Sequence, residues 1–314
     1  MDQKQKILAV VGPTASGKSA LALELAKRFH GEIICCDSMQ IYKQMNIGTA
    51  KPTKEEMASV PHHLFDFVHP CENFSCADYV SLAEKTAEDI LSRGKLPVFC
   101  GGTGLYLDRF LCSTDFESME IDEEYRAEMN EYAKQYGNEA LHKLLCEIDP
   151  DSAQAIHPNN VKRVIRALEI FKTSGRTKSE IDKESLKAEG KYACVQIGLR
   201  YNDREKLYER INLRVDKMLE SGLLAETEML EREGVFEKNL TAAQAIGYKE
   251  LLAYLRGEKS YDEAVEDLKR ATRRYAKRQM TWFSSHGNVF WIEADSKSLE
   301  QLVSEAEEIY LNNK

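Results

Sequence analysis

Eight consecutive residues carry the plainest chemistry in the chain. Gly12-Pro13-Thr14-Ala15-Ser16-Gly17-Lys18-Ser19 reads G-x-x-x-x-G-K-S. It follows a short apolar run and opens a segment of helical periodicity, the context in which this pattern forms a phosphate-binding loop. Backbone N–H groups of such a loop, and the helix N-terminus behind it, bind phosphate oxygens. Lys18 adds a cation, and Ser19 a hydroxyl for Mg²⁺. The motif specifies phosphate and leaves the reaction open. A phosphoryl-transfer enzyme built on this loop also ends a neighbouring apolar strand in a metal-holding acid. Here the apolar run Leu96 to Cys100 leads instead into Gly101-Gly102-Thr103-Gly104. The acid at a strand end is Asp37, followed by Ser38-Met39-Gln40. It reads as a general base beside the reacting atoms; a carboxylate that merely caps a turn or helix is the simpler alternative.

These residues need a scaffold that gathers them. The spacing predicts strands over Ile7 to Val11, Ile33 to Cys36 and Leu96 to Cys100, and helices over Ser19 to Phe29 and Asp78 to Arg93. Alternating strands and helices imply a parallel sheet with ligands at the carboxyl ends of its strands. Gly12, Asp37 and Gly101 all stand at such ends, so one crevice is expected to hold them. After Asp115 the pattern turns helical and charged, with helices expected over Asp122 to Tyr136, Asn138 to Ile148 and Asn159 to Thr173. A strand over Val195 to Leu199 resumes the sheet. Helices follow over Asp203 to Ser221, Leu223 to Glu233, Thr241 to Leu255 and Tyr261 to Ser284, then a strand over Val289 to Ile292. The expected architecture is α/β: a P-loop parallel-sheet core from residues 1–115 and 190–314, a helical insertion domain from 116–189 and a helical C-terminal part.

Composition narrows the classes. The chain has 314 residues, 43% of them hydrophobic, and a mean hydropathy of −0.48. Its apolar runs are too short to span a bilayer, and its start lacks a signal-peptide pattern. None of the eight cysteines forms a C-x-x-C pair, which reads as reduced thiols in a cytoplasmic protein. The net charge of −9 taken alone argues against nucleic acid, but a local basic stripe can coexist with an acidic remainder. Two such stripes occur. Arg270, Arg273, Arg274, Lys277 and Arg278 recur at helical spacing, and Lys162, Arg163 and Arg166 cluster in the insertion. Either could be a solvated helix face.

Longer segments point further. GPTASGKS (12–19), DSMQIYKQMNIGTAKP (37–52), GGTGLY (101–106), IHPNNVKRVIRALEIF (156–171), RINLRVDKMLESGLLAE (210–226), AIGYKE (245–250) and TRRYAKRQMTWF (272–283) resemble, in order and over nearly the whole chain, the tRNA dimethylallyltransferases, also called tRNA isopentenyltransferases. The resemblance implies transfer of a dimethylallyl group from its diphosphate to N6 of the adenosine just 3′ of a tRNA anticodon, with Mg²⁺ as cofactor. It makes the P-loop, Gly12 to Ser19, the site of the prenyl donor's diphosphate. It makes Asp37 the base that takes the N6 proton. It makes Arg214 a further cation on the diphosphate, and Thr103 a hydrogen-bond partner near the bridging oxygen. It places tRNA against Asp37, Ser38, Met39, Gln40, Thr103, Arg126, Lys162, Arg163, Val164, Ile165, Arg166, Gln244, Gly247, Lys249, Arg273, Arg274, Lys277 and Arg278. The family often has Gln where this chain has Lys162, and a lysine suits phosphate better than a base edge. A monomer is expected.

A small-molecule or nucleoside kinase would share the P-loop and could use Asp37 on a hydroxyl. It leaves the insertion and the stripe from Arg270 to Arg278 unexplained. A non-catalytic RNA-binding protein leaves Asp37, Thr103 and Arg214 without purpose. An adenylate prenyltransferase should not need the large insertion.

Overall fold

Uninterrupted apolar runs of strand length fix the architecture. In β1 (Gln5–Val11) alternate residues enter opposite layers. Leu8 and Val10 pack with Leu21, Leu25 and Ala306; Ile7, Ala9 and Val11 pack with Tyr79, Ala83, Ile90 and Phe283. A strand buried on both faces belongs in a covered parallel sheet. The computed structural model describes residues 4–112, 122–187, 190–285 and 288–313. The expected boundaries at 115/116 and 189/190 fall at or within segments outside the described residues.

The chain divides into two compact units, Met1–Leu111 with Lys191–Lys314, and Cys112–Gly190. In the first, β1 is followed by α1 (Lys18–Arg28), β2 (Gly31–Cys35), α2 (Lys54–Ser59), β3 (His62–His63), α3 (Cys76–Ser92), β4 (Leu96–Cys100) and α4 (Gly104–Leu111). The second holds α5 (Glu123–Tyr136), α6 (Asn138–Ile148), α7 (Pro150–Ala155), α8 (Val161–Ser174) and α9 (Lys178–Lys187). The first unit resumes with β5 (Tyr192–Arg200), α10 (Arg204–Glu220), α11 (Leu223–Arg232), α12 (Val235–Lys238), α13 (Leu240–Ala243), α14 (Tyr248–Leu255), α15 (Tyr261–Ser285), β6 (Val289–Glu293) and α16 (Leu299–Asn312). All strands are parallel, in the order β3-β2-β4-β1-β5-β6. The ends of β2, β4 and β1 are therefore neighbours, which is the juxtaposition the sequence pattern predicts.

Two expectations need correction. The helix expected over Thr241 to Leu255 is two helices, because Gly247 takes φ 102°, a left-handed conformation that breaks the helix and suits glycine. The Glu250 carboxylate accepts the Gly247 N–H at 2.9 Å and starts α14 afresh. The strand expected last, β6, is followed by α16, which buries Leu302, Val303 and Ala306 in the layer with α1.

One buried carboxylate shapes the wall nearest the P-loop. Glu226 on α11 accepts the N–H groups of Asn46, Ile47 and Gly48 at 2.9–3.1 Å and the Tyr248 hydroxyl at 2.6 Å. Gly48 admits this approach because a Cβ there would lie 2.5 Å from the Tyr248 ring. Removing the carboxylate orphans buried donors, each costing about 1–3 kcal/mol. Glu226→Ala is expected to lower stability by about 3 kcal/mol in urea unfolding and to deprotect the amides of residues 46–48 in hydrogen exchange; unchanged protection there would show that the segment holds its shape without Glu226.

Candidate active site

The P-loop is built from backbone that few residues tolerate. Gly12 has φ 138° and Gly17 φ 97°. A Cβ at Gly12 would stand 2.8 Å from the Leu199 carbonyl of β5, so glycine is what lets the loop lie against the sheet. Helix α1 starts at Lys18 with no side-chain cap and no acid in its first turn. Its first N–H groups thus lack intrahelical partners and point, with the positive end of the helix dipole, at whatever anion enters.

Two cations join them. The half-buried Lys18 donates to the Pro13 carbonyl at 3.3 Å. Arg214, also half-buried, projects from α10. Burial lowers the Lys18 pKa and Arg214 lowers it further, with the Asp37 carboxylate opposing. Burial likewise lowers the Arg214 pKa, with Asp37 again opposing. Cys100, at the end of β4 where a phosphoryl-transfer enzyme would keep its acid, has its thiol raised to about 11 by burial. It brings no charge at neutral pH.

Asp37 and Thr103 are positioned by strand ends. Cys36 donates its N–H to the Cys100 carbonyl, and Thr103 returns the contact to the Cys36 carbonyl at 3.0 Å. A Cβ at Gly101 would fall 1.9 Å from the Cys36 oxygen, so only glycine lets the two loops close. Thr103 Oγ1 accepts the Ser38 N–H at 3.0 Å and donates to Ser38 Oγ at 3.3 Å. Asp37 Oδ1 accepts the Met39 N–H at 2.9 Å. This is the capping role of the simpler reading, yet it engages one oxygen; Oδ2 has no hydrogen-bond partner among the described residues. From α15, Tyr275 faces the same place, its hydroxyl pKa raised by burial and then by the Asp37 charge.

A cavity of about 950 Å³ opens beside the loop. Lys18, Ser19, Lys51, Lys54, Arg210, Arg214 and Lys217 line it, with Asp66 the carboxylate among them and Ile47, Met57, Leu213 and Met218 supplying apolar wall. Lys51 is spoken for by Tyr42 O, Asn46 Oδ1 and Asp66 Oδ1 at 2.6–2.8 Å. Such a surplus of positive charge suits a small polyanion.

The remaining candidates separate by burial and partner. Gln40 turns inward, donating to the Thr49 and Ala50 carbonyls at 2.9 and 3.0 Å, so it braces its own loop; Met39 packs against the α11–α14 core. Gln244 and Lys249 are exposed, and Gly247 is buried. In the basic stripe of α15, Arg270 pairs with Asp267. Arg273 donates to Asn212 at 2.7 Å and lies over the Tyr208 ring. Arg274, Lys277 and Arg278 are exposed and form no salt bridge among the described residues. The stripe read from spacing thus narrows to these three.

In the second unit Lys162 and Arg163 are exposed, whereas the Val164 and Ile165 side chains are core, 0% and 3% exposed. The surface at this turn is the two cations. Arg126 and Arg166 both grip Glu169, which is fully buried and also accepts the Asp122 N–H at 2.9 Å. Their first task is to neutralise that carboxylate.

Three residues near the P-loop escaped the sequence reading. Arg210 donates to the Ala15 carbonyl at 3.0 Å, Tyr275 faces Asp37, and Gln279 bonds Thr14. Their spacing from Arg214 and Arg274 on the same helices was the available signal.

Comparison with known proteins gives the family and the fold. The IPP transferase family model matches residues 40–286, and the isopentenyl transferase model residues 5–66. A tRNA dimethylallyltransferase of Acetivibrio thermocellus is 51% identical over 305 residues, 97% of each chain. The solved full-length tRNA isopentenylpyrophosphate transferase of Bacillus halodurans superposes with a TM-score of 0.74 at 44% identity, covering 99% of this chain and 97% of that one. A eukaryotic dimethylallyltransferase solved acting on tRNA gives 0.81 at 31% identity, covering 98% of this chain and 80% of that one.

The Glu169 triad predicts a stability effect confined to the second unit. Burial pushes the Glu169 pKa up, but Arg126, Arg166 and the Asp122 amide outweigh it, so the net shift is downward. The stabilisation is therefore present above the unfolded carboxylate pKa and lost as pH falls through the lowered one. Glu169→Ala is expected to cost about 2–3 kcal/mol at neutral pH, less than for a dry ion pair because both guanidinium groups reach water. Protease sensitivity of residues 122–187 reads it out; wild-type resistance would mean that the triad adds little.

Proposed function

The chain belongs to the tRNA dimethylallyltransferase family, and we propose that it transfers a dimethylallyl group from dimethylallyl diphosphate to N6 of the adenosine immediately 3′ of the tRNA anticodon, releasing diphosphate. The observation that carries this reading is the pairing of a P-loop and two repelling cations, Lys18 and Arg214, with a carboxylate, Asp37, at the end of β2 and no acid at the end of β4.

In this reading the C1–O bond of the donor breaks as the N6–C1 bond forms. Negative charge grows on the departing diphosphate, where preorganised donors lower the barrier most. The α1 N–H groups, Lys18 and Arg214 receive it. Thr103 turns its hydroxyl from Ser38 toward the bridging oxygen. The attacking amine becomes cationic and gives its proton to Asp37 Oδ2, the oxygen left open by the turn. The adenine must leave its stack to reach this point.

Mg²⁺ fits the site only in company with the diphosphate. No group of three or more His, Cys, Asp or Glu side chains that could hold a metal occurs among the described residues, and Mg²⁺ commonly binds through substrate phosphates, waters and one or two protein oxygens. Ser19, on the cavity wall, would give its Oγ to the ion, which would supply countercharge to the leaving group. For tRNA, Arg274, Lys277 and Arg278 on α15 and Lys162 and Arg163 on α8 are the cations free to meet phosphates. No disulfide links the eight cysteines, in keeping with a reduced, cytoplasmic setting; no helix among the described residues is long and apolar enough to cross a membrane. The enzyme acts as a monomer.

Labelled dimethylallyl diphosphate is expected to label unmodified tRNA, and labelled ATP to phosphorylate nothing. Phosphate transfer from ATP to a small acceptor would make the protein a kinase. Asp37→Ala is expected to lose about 10²–10⁴-fold in kcat, the usual worth of a positioned base, with tRNA affinity little changed. Near-normal turnover with lower stability would leave Asp37 as a turn cap. Arg274→Ala is expected to raise the KM for tRNA and to make its dependence on log salt shallower by about one unit or less. Binding isotherms across salt concentrations check this; an unchanged slope would make the residue part of a solvated face.

A further inference from the structure

Gln279 is buried, 4% exposed, in the C-terminal half of α15, and both ends of its amide are engaged. Its Oε1 accepts the Thr14 N–H at 2.8 Å; its Nε2 donates to the Gly102 carbonyl at 3.1 Å. The first partner is in the P-loop and the second adjoins Thr103, so one side chain ties the two halves of the site together. Residue 102 is shaped for this contact, because a Cβ there would stand 2.0 Å from Gln279 Nε2. The joint has a counterpart on the other side of the loop: Arg210 holds the carbonyl of Ala15, whose φ of 63° is unusual for a residue with a Cβ. The Thr14 N–H, a P-loop donor that could meet phosphate, is engaged by protein instead, so protein contacts on both sides brace the loop's shape.

We propose that Gln279 is a positioning residue that fixes the distance between the P-loop, which receives the diphosphate, and the Gly102–Thr103 turn, which meets the bridging oxygen. The proposal rests on the function given above. The same helix turns Arg274, Lys277 and Arg278 to solvent, so Gln279 anchors the inner face of the helix whose outer face carries those cations. A misplacement of about 1 Å between reacting groups can cost about 10²-fold, which sets the scale of the effect.

Q279M keeps the bulk of the side chain and removes both hydrogen bonds. G102A leaves Gln279 in place but drives its amide off the carbonyl. Both are expected to lower kcat at saturating substrates by about 10- to 100-fold, with tRNA KM within about threefold of wild type. In Q279E the acceptor to Thr14 survives while a charged carboxylate meets the Gly102 carbonyl; protonation restores a donor, so its deficit relative to wild type should shrink as pH falls. A side chain that served only packing would lose activity in proportion to lost folding, with no such pH signature. Wild-type kcat in Q279M and G102A, or a Q279E deficit that ignores pH, overturns the proposal. If wild type fails to prenylate tRNA, the proposed function falls instead. Binding of inorganic diphosphate then reads the joint by itself: weaker binding by Q279M and G102A supports it, and unchanged binding overturns it.

Discussion

Lys18 and Arg214 are held where they repel each other, in a partly buried place that lowers the pKa of both. That arrangement costs stability and is relieved by an anion in the cavity that both line. Nearby protein acids offer only partial relief: Asp37 acts on both cations, and the thiol of Cys100 is raised out of the charged range. A P-loop that hydrolyses or transfers phosphate balances its charges with an acid on the adjacent strand. This one leaves the imbalance standing, so the site gains most from a ligand whose negative charge increases during reaction. A departing diphosphate does that.

The scaffold keeps the imbalance in place. Parallel order sets the ends of β2, β4 and β1 side by side, so Asp37, Thr103 and the P-loop come from adjacent strands. Gly101 lets the β4 turn touch Cys36, and Glu226 binds the 46–48 segment against α11. The C-terminal helices close the site with Arg210, Arg214, Tyr275 and Gln279. The net negative chain thus concentrates positive charge at the cavity and on one helix face, which is how an acidic protein meets polyanions.

Local features were legible in the sequence. The run Ile7 to Val11 followed by G-x-x-x-x-G-K-S needs no distant partner to be read, and the parallel sheet follows from strand–helix alternation. Thr103 and Arg214 carried no local signal and were singled out only through the family resemblance. Gln279, Arg210, Glu226 and Glu169 stayed hidden because their meaning lies in partners 177, 195, 178 and 43 residues away. The same limit explains why spacing overstated the basic stripe: nothing local tells that Asn212 engages Arg273. It also explains the break at Gly247, where a tolerable helical glycine became a φ 102° turn.

The central claim is that this P-loop receives a leaving group. Dimethylallyl diphosphate carrying heavy oxygen in the bridging position, reacted with unmodified tRNA, tests it most directly by mass analysis of the released diphosphate. Cleavage of the C1–O bond sends the heavy oxygen out with the diphosphate and leaves none on the tRNA. Heavy oxygen retained with the dimethylallyl group, or phosphate appearing on the acceptor, would show cleavage at phosphorus and contradict the account.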